Sequence, residues 1–424
     1  MRRRYRTGDQ TLVREINLST VLSYLQENTP LSRAQLANLI GLNKTTVSSL
    51  VEELLDRGLV HQVGQDTSGG GRPATLLDLA PQAGCIIGLA LGVDFISAVL
   101  TDFAGQVRWR HLQETDPTES QDAIINQTLR LVDKALVANQ SCGARLLGLG
   151  LATPGTVNVE EGVLIFSPNL QWRNVPFRQI FHEHAGLPVF VDNDANAGAV
   201  AEHLFGVAQQ AQDFIFIFAG VGVGGGLFLK GELYRGTGGF AGEIGHTNFM
   251  LEPYRAPCRC GNRGCWETYT NQYSIVERVR ARLAVRRNSL IPQLMAEQHS
   301  PLTVPIILQA AEKNDAEAME ALTEAGSAMG LGIANLVNIF NPEMVVLGGT
   351  LSAAGKYLLP AIKEAVEKTA LPEIRQQVQI LLSAFGPDAS VMGAAALVIE
   401  AILSNPSGVE RLSRRAHPQR SIGG

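Results

Sequence analysis

The sequence predicts an α/β protein, a body of two related lobes behind a small N-terminal domain of three helices and a β hairpin. Three observations carry that expectation. The first eighty residues alternate helical segments with a Gly turn, an apolar strand pattern starts at residue 85, and a similar one starts at residue 214. The 424 residues give room for two to four domains, at roughly 100–200 residues each. Hydrophobic residues at 45% and charged residues at 18% are the balance of a globular chain, too apolar for intrinsic disorder.

From the N-terminus, Ile16, Val21, Leu22 and Leu25 share one face of a helix ended by Pro30. Ser32 and Gln35 have the spacing of a capping box for a second helix, Arg33–Ile40, expected to bury Leu36, Leu39 and Ile40. Gly41 supplies the permissive backbone of a tight turn. Asn43 then caps a third helix, Lys44–Asp56, with Val47, Leu50, Val51, Leu54 and Leu55 facing inward. Its outward residues are Lys44, Thr45, Thr46, Ser48 and Ser49, short and polar enough to approach base edges and phosphates. Residues 59–63 and Ala74–Leu79 flank a polar, Gly-rich stretch as a wing. Helix, turn, helix and wing together point to DNA, the blander reading being a bundle used only for oligomerisation. At the wing tip, Gly71-Arg72-Pro73 is similar to the core of minor-groove hooks, with Arg72 as the inserted side chain, although alone it is a flexible linker.

From Cys85 the periodicity is that of strands, at 86–91, 96–101 and 106–112, followed by a helix at 122–138 and a strand at 146–151. The second start, at 214–218, leads through Gly-rich turns to strands at 227–230 and 232–235. Strands at 344–347 and 378–382 then alternate with helices at 315–341, 353–368 and 390–403. This is the pattern of a duplicated unit with a ligand cleft between its lobes. The apolar stretch 214–229 is too short for a membrane span, and Gly220, Gly222 and Gly224 to Gly226 break it up.

Cys258, Cys260 and Cys265, preceded by His246, offer three thiolates and an imidazole. That is a closed tetrahedral zinc set with no open position, structural rather than catalytic, the alternative being a redox pair. Cys85 and Cys142 read as isolated apolar fillers. Five cysteines so clustered are not a secreted disulfide framework, and the basic start leads into no apolar run, so a cytoplasmic protein without a membrane partner is expected. The net charge of −5 is unevenly spread. Residues 1–82 carry nine basic and eight acidic residues, and residues 405–424 carry four and one. Arg2, Arg3, Arg4, Arg6 and Arg14 form a local basic footprint that the average hides.

Several motifs together resemble the ROK family, named for repressors, open reading frames and sugar kinases. They are Gly242-Glu243-Ile244-Gly245-His246, the cysteine cluster running into Trp266-Glu267, Asn193-Asp194-Ala195-Asn196, Ser167-Pro168-Asn169-Leu170, Ala152-Thr153-Pro154-Gly155, and residues 342–349. They run from about residue 85 to residue 403, and the region ending in Gly70-Gly71-Arg72-Pro73 is similar to the winged domain of the repressor branch. The resemblance implies an actin-like, ribonuclease H-like duplicated body. Residues 1–82 would be the DNA-binding domain and linker, 83–195 with 390–404 a smaller lobe, and 196–389 a larger lobe with the zinc site. A tail, 405–424, is expected to be disordered.

The resemblance also assigns a sugar site. It places Asn169, Asn193, Asp194, Glu243, His246 and Glu267 on the hydroxyls of a pyranose, where carboxylates accept from vicinal hydroxyls and asparagine both donates and accepts. Residues 192–194 alone would read as a strand-end turn and helix cap. His246 is expected to serve twice, one nitrogen on zinc and the other toward the sugar. The kinases' first phosphate loop, D-x-G-G-T-K, is altered here. Ala90 stands for the metal-holding acid, Val93 for the second glycine, Asp94 for the threonine and Phe95 for the lysine. The second loop, Gly220-Val221-Gly222, lacks its hydroxyl. The expectation is a non-enzymatic repressor that binds operator DNA as a homodimer or dimer of dimers and answers to a small sugar, xylose or glucose. The alternative is a sugar kinase with an appended DNA-binding domain.

Overall fold

The computed structural model describes residues 10–28, 30–66, 73–116, 118–250, 255–286 and 288–409. Gly71 and Arg72 of the hook, Arg2 to Arg6, and residues 410–424 of the expected tail lie outside the described residues, as does the side chain of Cys142. Residues 405–409, expected to be disordered, instead form a turn at Pro406–Gly408 with Pro406 and Val409 buried.

The N-terminal domain opens with α1 (Gln10–Asn28), which buries Leu18, Val21, Leu22 and Leu25. These positions are i, i+3, i+4 and i+7, and Ile16 falls about 200° around the helix from Leu18. Ile16 is therefore 56% exposed, contrary to expectation. After β1 (Leu31–Ser32), α2 (Arg33–Ile40) begins on the capping box: the Ser32 N–H donates to Gln35 Oε1, and the Gln35 N–H donates to Ser32 Oγ. The helix buries Leu36 and Ala37, and Leu39 lies off that stripe, 49% exposed. Gly41 closes α2 at φ 75°, and Asn43 caps α3 (Lys44–Asp56) by accepting from the Thr46 N–H at 2.8 Å. Val47, Leu50, Val51 and Leu54 face the core, with Leu55 packed at its edge. The wing is β2 (Val60–Asp66) antiparallel to β3 (Ala74–Leu79), with β1 on the other side of β3.

The body starts with a meander, β4 (Cys85–Leu91), β5 (Phe95–Asp102) and β6 (Val107–Glu114), followed by α4 (Gln121–Cys142) and β7 (Leu146–Thr153). A small separate sheet of β8 (Thr156–Asn158), β9 (Val163–Ser167) and β10 (Trp172–Val175) precedes α5 (Phe177–Ala185), β11 (Val189–Asn193) and α6 (Asp194–Phe205). The second meander is β12 (Phe214–Ala219), β13 (Val223–Leu229) and β14 (Glu232–Leu233). Five helices follow, α7 (Glu267–Thr270), α8 (Gln272–Val285), α9 (Ile291–Gln298), α10 (Val304–Glu312) and α11 (Ala316–Phe340). The chain then runs through β15 (Met344–Gly348), α12 (Gly355–Thr369), α13 (Pro372–Arg375), β16 (Gln379–Leu382) and α14 (Ala389–Ser404).

The two large sheets have strand orders β6-β5-β4-β7-β11 and β14-β13-β12-β15-β16. Each places the strands of its own run as third, second, first, fourth, fifth, with the last two parallel to the first, so the expected duplication is present in the topology. One element differs from expectation. Gly224, Gly225 and Gly226 are not a turn but the middle of β13, hydrogen-bonded in register to β12. A Cβ on Gly226 would lie 2.6 Å from the Ala195 carbonyl oxygen and from the Ala199 Cβ, so the glycines let α6 lie directly on the strand.

α14 is buried between α6 and strands β4, β7 and β11. Among the described residues, Gly386–Ser404 is the one helical stretch long and apolar enough to cross a membrane, and its apolar residues fill this core.

Candidate functional site

A cleft between the two repeats gathers residues from both. From the first repeat come the turn after β9 with Asn169, the end of β7 with Pro154 and Gly155, and the β11–α6 junction with Asn193 and Asp194. From the second come the turn between β12 and β13, the loop carrying Gly239 to Glu243, His246, and Glu267 at the start of α7. All six residues expected at a sugar site line this one cleft.

Their roles in the fold differ. Asn193 is the N-cap of α6: its Oδ1 accepts from the N–H groups of Ala195 at 2.8 Å and Asn196 at 3.3 Å, while its Nδ2 donates to the Gly155 carbonyl at 3.0 Å. Asp194, the first residue of α6, accepts from the Ala195 N–H at 2.9 Å. Burial pushes its carboxyl up to about 7, the Ala195 N–H pulls the other way, and the Glu243 charge adds to the rise. Burial likewise raises Glu243, opposed by His246 and reinforced by Glu267. Glu267 Oε2 accepts from the Val223 N–H at 3.3 Å. Gly222 leaves room for two of these side chains, since a Cβ there would lie 2.8 Å from Asn169 Nδ2 and 2.9 Å from Glu267 Oε2 and displace them. Asp94, Asp192, Asp194, Glu243 and Glu267 all line the cleft, and burial raises two of these carboxyls, Asp194 and Glu243, so the cleft is rich in hydrogen-bond acceptors.

His246 joins this cleft to the cysteine cluster. Its Nε2 lies 3.7 Å from Glu243 Oε2, while its Nδ1 lies 3.5 Å from Glu267 Oε1 and 3.7 Å from Cys258 Sγ. Cys260 and Cys265 are 3.7 Å apart at sulfur, and one ligand atom from each of His246, Cys258, Cys260 and Cys265 falls within 4.8 Å of the others. A tetrahedral ion with metal–sulfur bonds of ~2.3 Å needs sulfurs about 3.8 Å apart, so the four can hold a metal. The loop is built for it. The Cys260 N–H faces Cys258 Sγ at 3.5 Å, and Gly261, at φ 97°, then turns the chain back so that the Asn262 carbonyl accepts from the Cys258 N–H at 2.8 Å. Burial raises the Cys258 thiol and takes Cys265 up to about 11, so a bound cation would supply what holds these sulfurs as thiolates.

Phe95 stands where a kinase of this resemblance would carry the phosphate-binding lysine. Its ring covers Gly92, where a Cβ would lie 2.4 Å from ring carbon Cε1. Asp94 accepts from Gln272 Nε2 at 3.2 Å. On the N-terminal domain, Lys44, Thr45 and Ser49 of α3 are exposed and Thr46 and Ser48 half-buried. Arg14 does not join a free basic footprint. It pairs with Glu53 at 2.6 Å and donates to Ser49 Oγ at 3.3 Å.

Two features lay beyond the sequence patterns. Arg235, after β14, forms an ion pair with Asp192 of β11 at 2.6 Å across the repeats, beside Glu400 of α14, whose carboxyl burial pushes up to about 7. Nothing local links residues so far apart. Phe240 also lines the cleft from a loop otherwise rich in glycine, and a lone ring in such a loop was the available signal.

The ROK family pattern matches residues 86–401, and a MarR family pattern matches residues 19–72. The xylose repressor of Caldicellulosiruptor bescii is 35% identical over 399 residues, covering 94% of this chain and 99% of that protein. A crystal structure titled as a ROK family transcriptional regulator, homolog of the E. coli MLC protein, superposes with a TM-score of 0.78 at 28% identity, covering 93% of this chain and 97% of that one. A ROK family glucokinase from Streptomyces griseus, in complex with glucose and AMPPNP, gives a TM-score of 0.67 at 30% identity over 74% of this chain and 99% of that one. Fold, motifs and family pattern coincide across the two-lobed body, and the chain belongs to the ROK family.

Proposed function

We propose that the chain is a sugar-responsive transcriptional repressor. The observation that supports the reading is the pairing of a capped helix carrying an exposed polar face with a cleft lined by Asp194, Glu243 and Glu267, in whose first loop the Phe95 ring lies on Gly92. The similarity to a protein named a xylose repressor over nearly the whole chain supports it, and makes an aldose such as xylose or glucose the effector of choice. Asp194 and Glu243 accept from vicinal hydroxyls, Asn169 donates, and His246 Nε2 faces the same ligand. His246 Nδ1, Cys258, Cys260 and Cys265 would hold Zn²⁺, which would fix the loop presenting His246 and Glu267. A homodimer sets two α3 helices in successive major grooves of a palindromic operator, with Lys44, Thr45, Thr46, Ser48 and Ser49 toward the bases and phosphates. Sugar binding draws the repeats together and lowers operator affinity, by a coupling of ~1–3 kcal/mol for systems of this kind. Such a protein works in the cytoplasm, where its operator is. Titrating an operator duplex selected from random sequence, against D-xylose, D-glucose and N-acetyl-D-glucosamine, tests the reading. Operator binding indifferent to every sugar would defeat it.

The glucokinase likeness and a buried Asp194 in the position of a general base favour a second reading, a kinase with an appended DNA-binding domain. It requires ATP-dependent sugar phosphorylation that Asp194→Asn abolishes. With Ala90, Val93, Asp94 and Phe95 in the first loop, we expect no turnover above background.

A further inference from the structure

The winged domain is packed onto the body. One apolar core runs from Leu22, Leu25 and Leu54 of the winged domain to Ile402 and Leu403 of α14. Polar contacts fasten the join. Gln26 of α1 donates to the Leu204 carbonyl, next to the end of α6, at 2.5 Å. Arg145, just before β7, donates to the carbonyls of Ala83 at 2.9 Å and Arg57 at 3.1 Å. Arg57, the residue that follows α3, reaches furthest. Its Nη1 donates to the carbonyls of Val409 at 2.7 Å and Ser407 at 3.3 Å, and its Nη2 pairs with Glu53 of α3 at 2.8 Å. The Ser407 hydroxyl donates in turn to Glu15 of α1. The Arg57 side chain is 9% exposed, so this cation is removed from water and depends on those acceptors.

The far ends of the same elements lie in the sugar cleft. α6 begins at Asp194 in the cleft and meets Gln26 at Leu204, ten residues further on, about 15 Å. α14 carries the cleft residue Ser390 at its start and runs into the 405–409 segment that Arg57 holds. The two helices meet backbone to backbone: a Cβ on Gly393 would lie 2.2 Å from the carbonyl of Ala197. With no side chain between them to give way, a shift of α6 carries α14 with it.

We propose that Arg57 is a positioning residue that sets the angle of the reading helix α3 against the sensor body. It ties α3 to the segment leaving α14, so that a displacement of α6 and α14 on sugar binding reaches α3. This deepens the repressor reading and rests on it. A guanidinium fork suits the task, because it bonds two backbone carbonyls and a carboxylate at once in fixed directions. Arg57 touches neither sugar nor any residue of the cleft, so its loss should separate binding from response.

The test uses the full-length chain, the selected operator duplex and D-xylose, with D-glucose and N-acetyl-D-glucosamine as parallel probes. For Arg57→Gln, sugar affinity by calorimetry stays within about twofold of wild type, while the sugar-induced drop in operator affinity shrinks from roughly tenfold to under twofold. Arg57→Lys, which keeps a donor for the carbonyls, recovers part of the response. Hydrogen exchange on the wild type covers the case in which Arg57→Gln does not fold: sugar should change protection at 405–409 and at the end of α3. A wild type that responds to sugar while Arg57→Gln responds equally, or unchanged exchange at 405–409, overturns the clamp alone. A wild type that no sugar affects defeats the repressor reading and the clamp with it.

Discussion

Asp194 carries a cost that fixes its pH behaviour. Its carboxyl, pushed up to about 7 by burial, changes charge across the neutral range, and the ionised form would be the stronger acceptor for the proposed sugar hydroxyls. Sugar affinity should therefore be roughly tenfold weaker at pH 6 than at pH 8, and the profile should flatten in Asp194→Asn, as calorimetry across that range would read. The same shift acts on stability with a definite sign. The folded pKa lies above the unfolded one, so the contribution is present in full below about pH 3.8 and is lost as pH rises through about 7. The thermal advantage of Asp194→Asn over wild type should grow between pH 4 and pH 7 and level off above pH 8. Cys258→Ser makes a separate case. With the proposed zinc in the cluster, metal content by elemental analysis should fall from one ion per chain, the melting temperature should drop, and sugar affinity should weaken ~10–100-fold as His246 and Glu267 lose their shared support. Full sugar affinity in a metal-free variant would refute that linkage.

Among the elements, those set by short-range chemistry were legible beforehand. Ser32 with Gln35, Asn43 ahead of α3, Gly41, and the C-x-C pair announce themselves within a few residues because their hydrogen bonds and ligands are local. The misread positions depended on neighbours distant in sequence. Gly224 to Gly226 look like a turn until α6 lies on them, and Leu39 looks like core until the stripe at Leu36 and Ala37 takes that place. The six cleft residues came from family motifs, since charge and spacing alone could not bring Asn169 to Glu267. The α6–α14 contact yields a prediction of its own. Gly393→Ala puts a methyl 2.2 Å from the Ala197 carbonyl and should cost upwards of ~1–3 kcal/mol in a denaturant melt, more than alanine costs at the open Gly143, which has nothing within 4 Å but a φ of 63°.

For the whole molecule, charge is distributed by task. The region before residue 83 is close to neutral, and the acidic excess belongs to the sensor body. The proposed DNA contacts then draw their positive charge from the arginines at the ends of the chain. Deleting residues 1–6 removes four of them and should flatten the dependence of log affinity on log salt by up to roughly 3 to 4, with equal loss on all sequences. An unchanged slope by anisotropy titration would exclude them from the phosphate contacts.

The anchoring of Val409 on Arg57 has a practical side as well. Residues 410–424, with Arg411, Arg414, Arg415 and Arg420, are tethered from a point beside the reading helix, so their local concentration near bound DNA is set by a tether of fifteen residues or fewer. An affinity tag or fluorescent partner fused to that end would be delivered to the same place, and operator measurements on such fusions would report the cargo together with the protein.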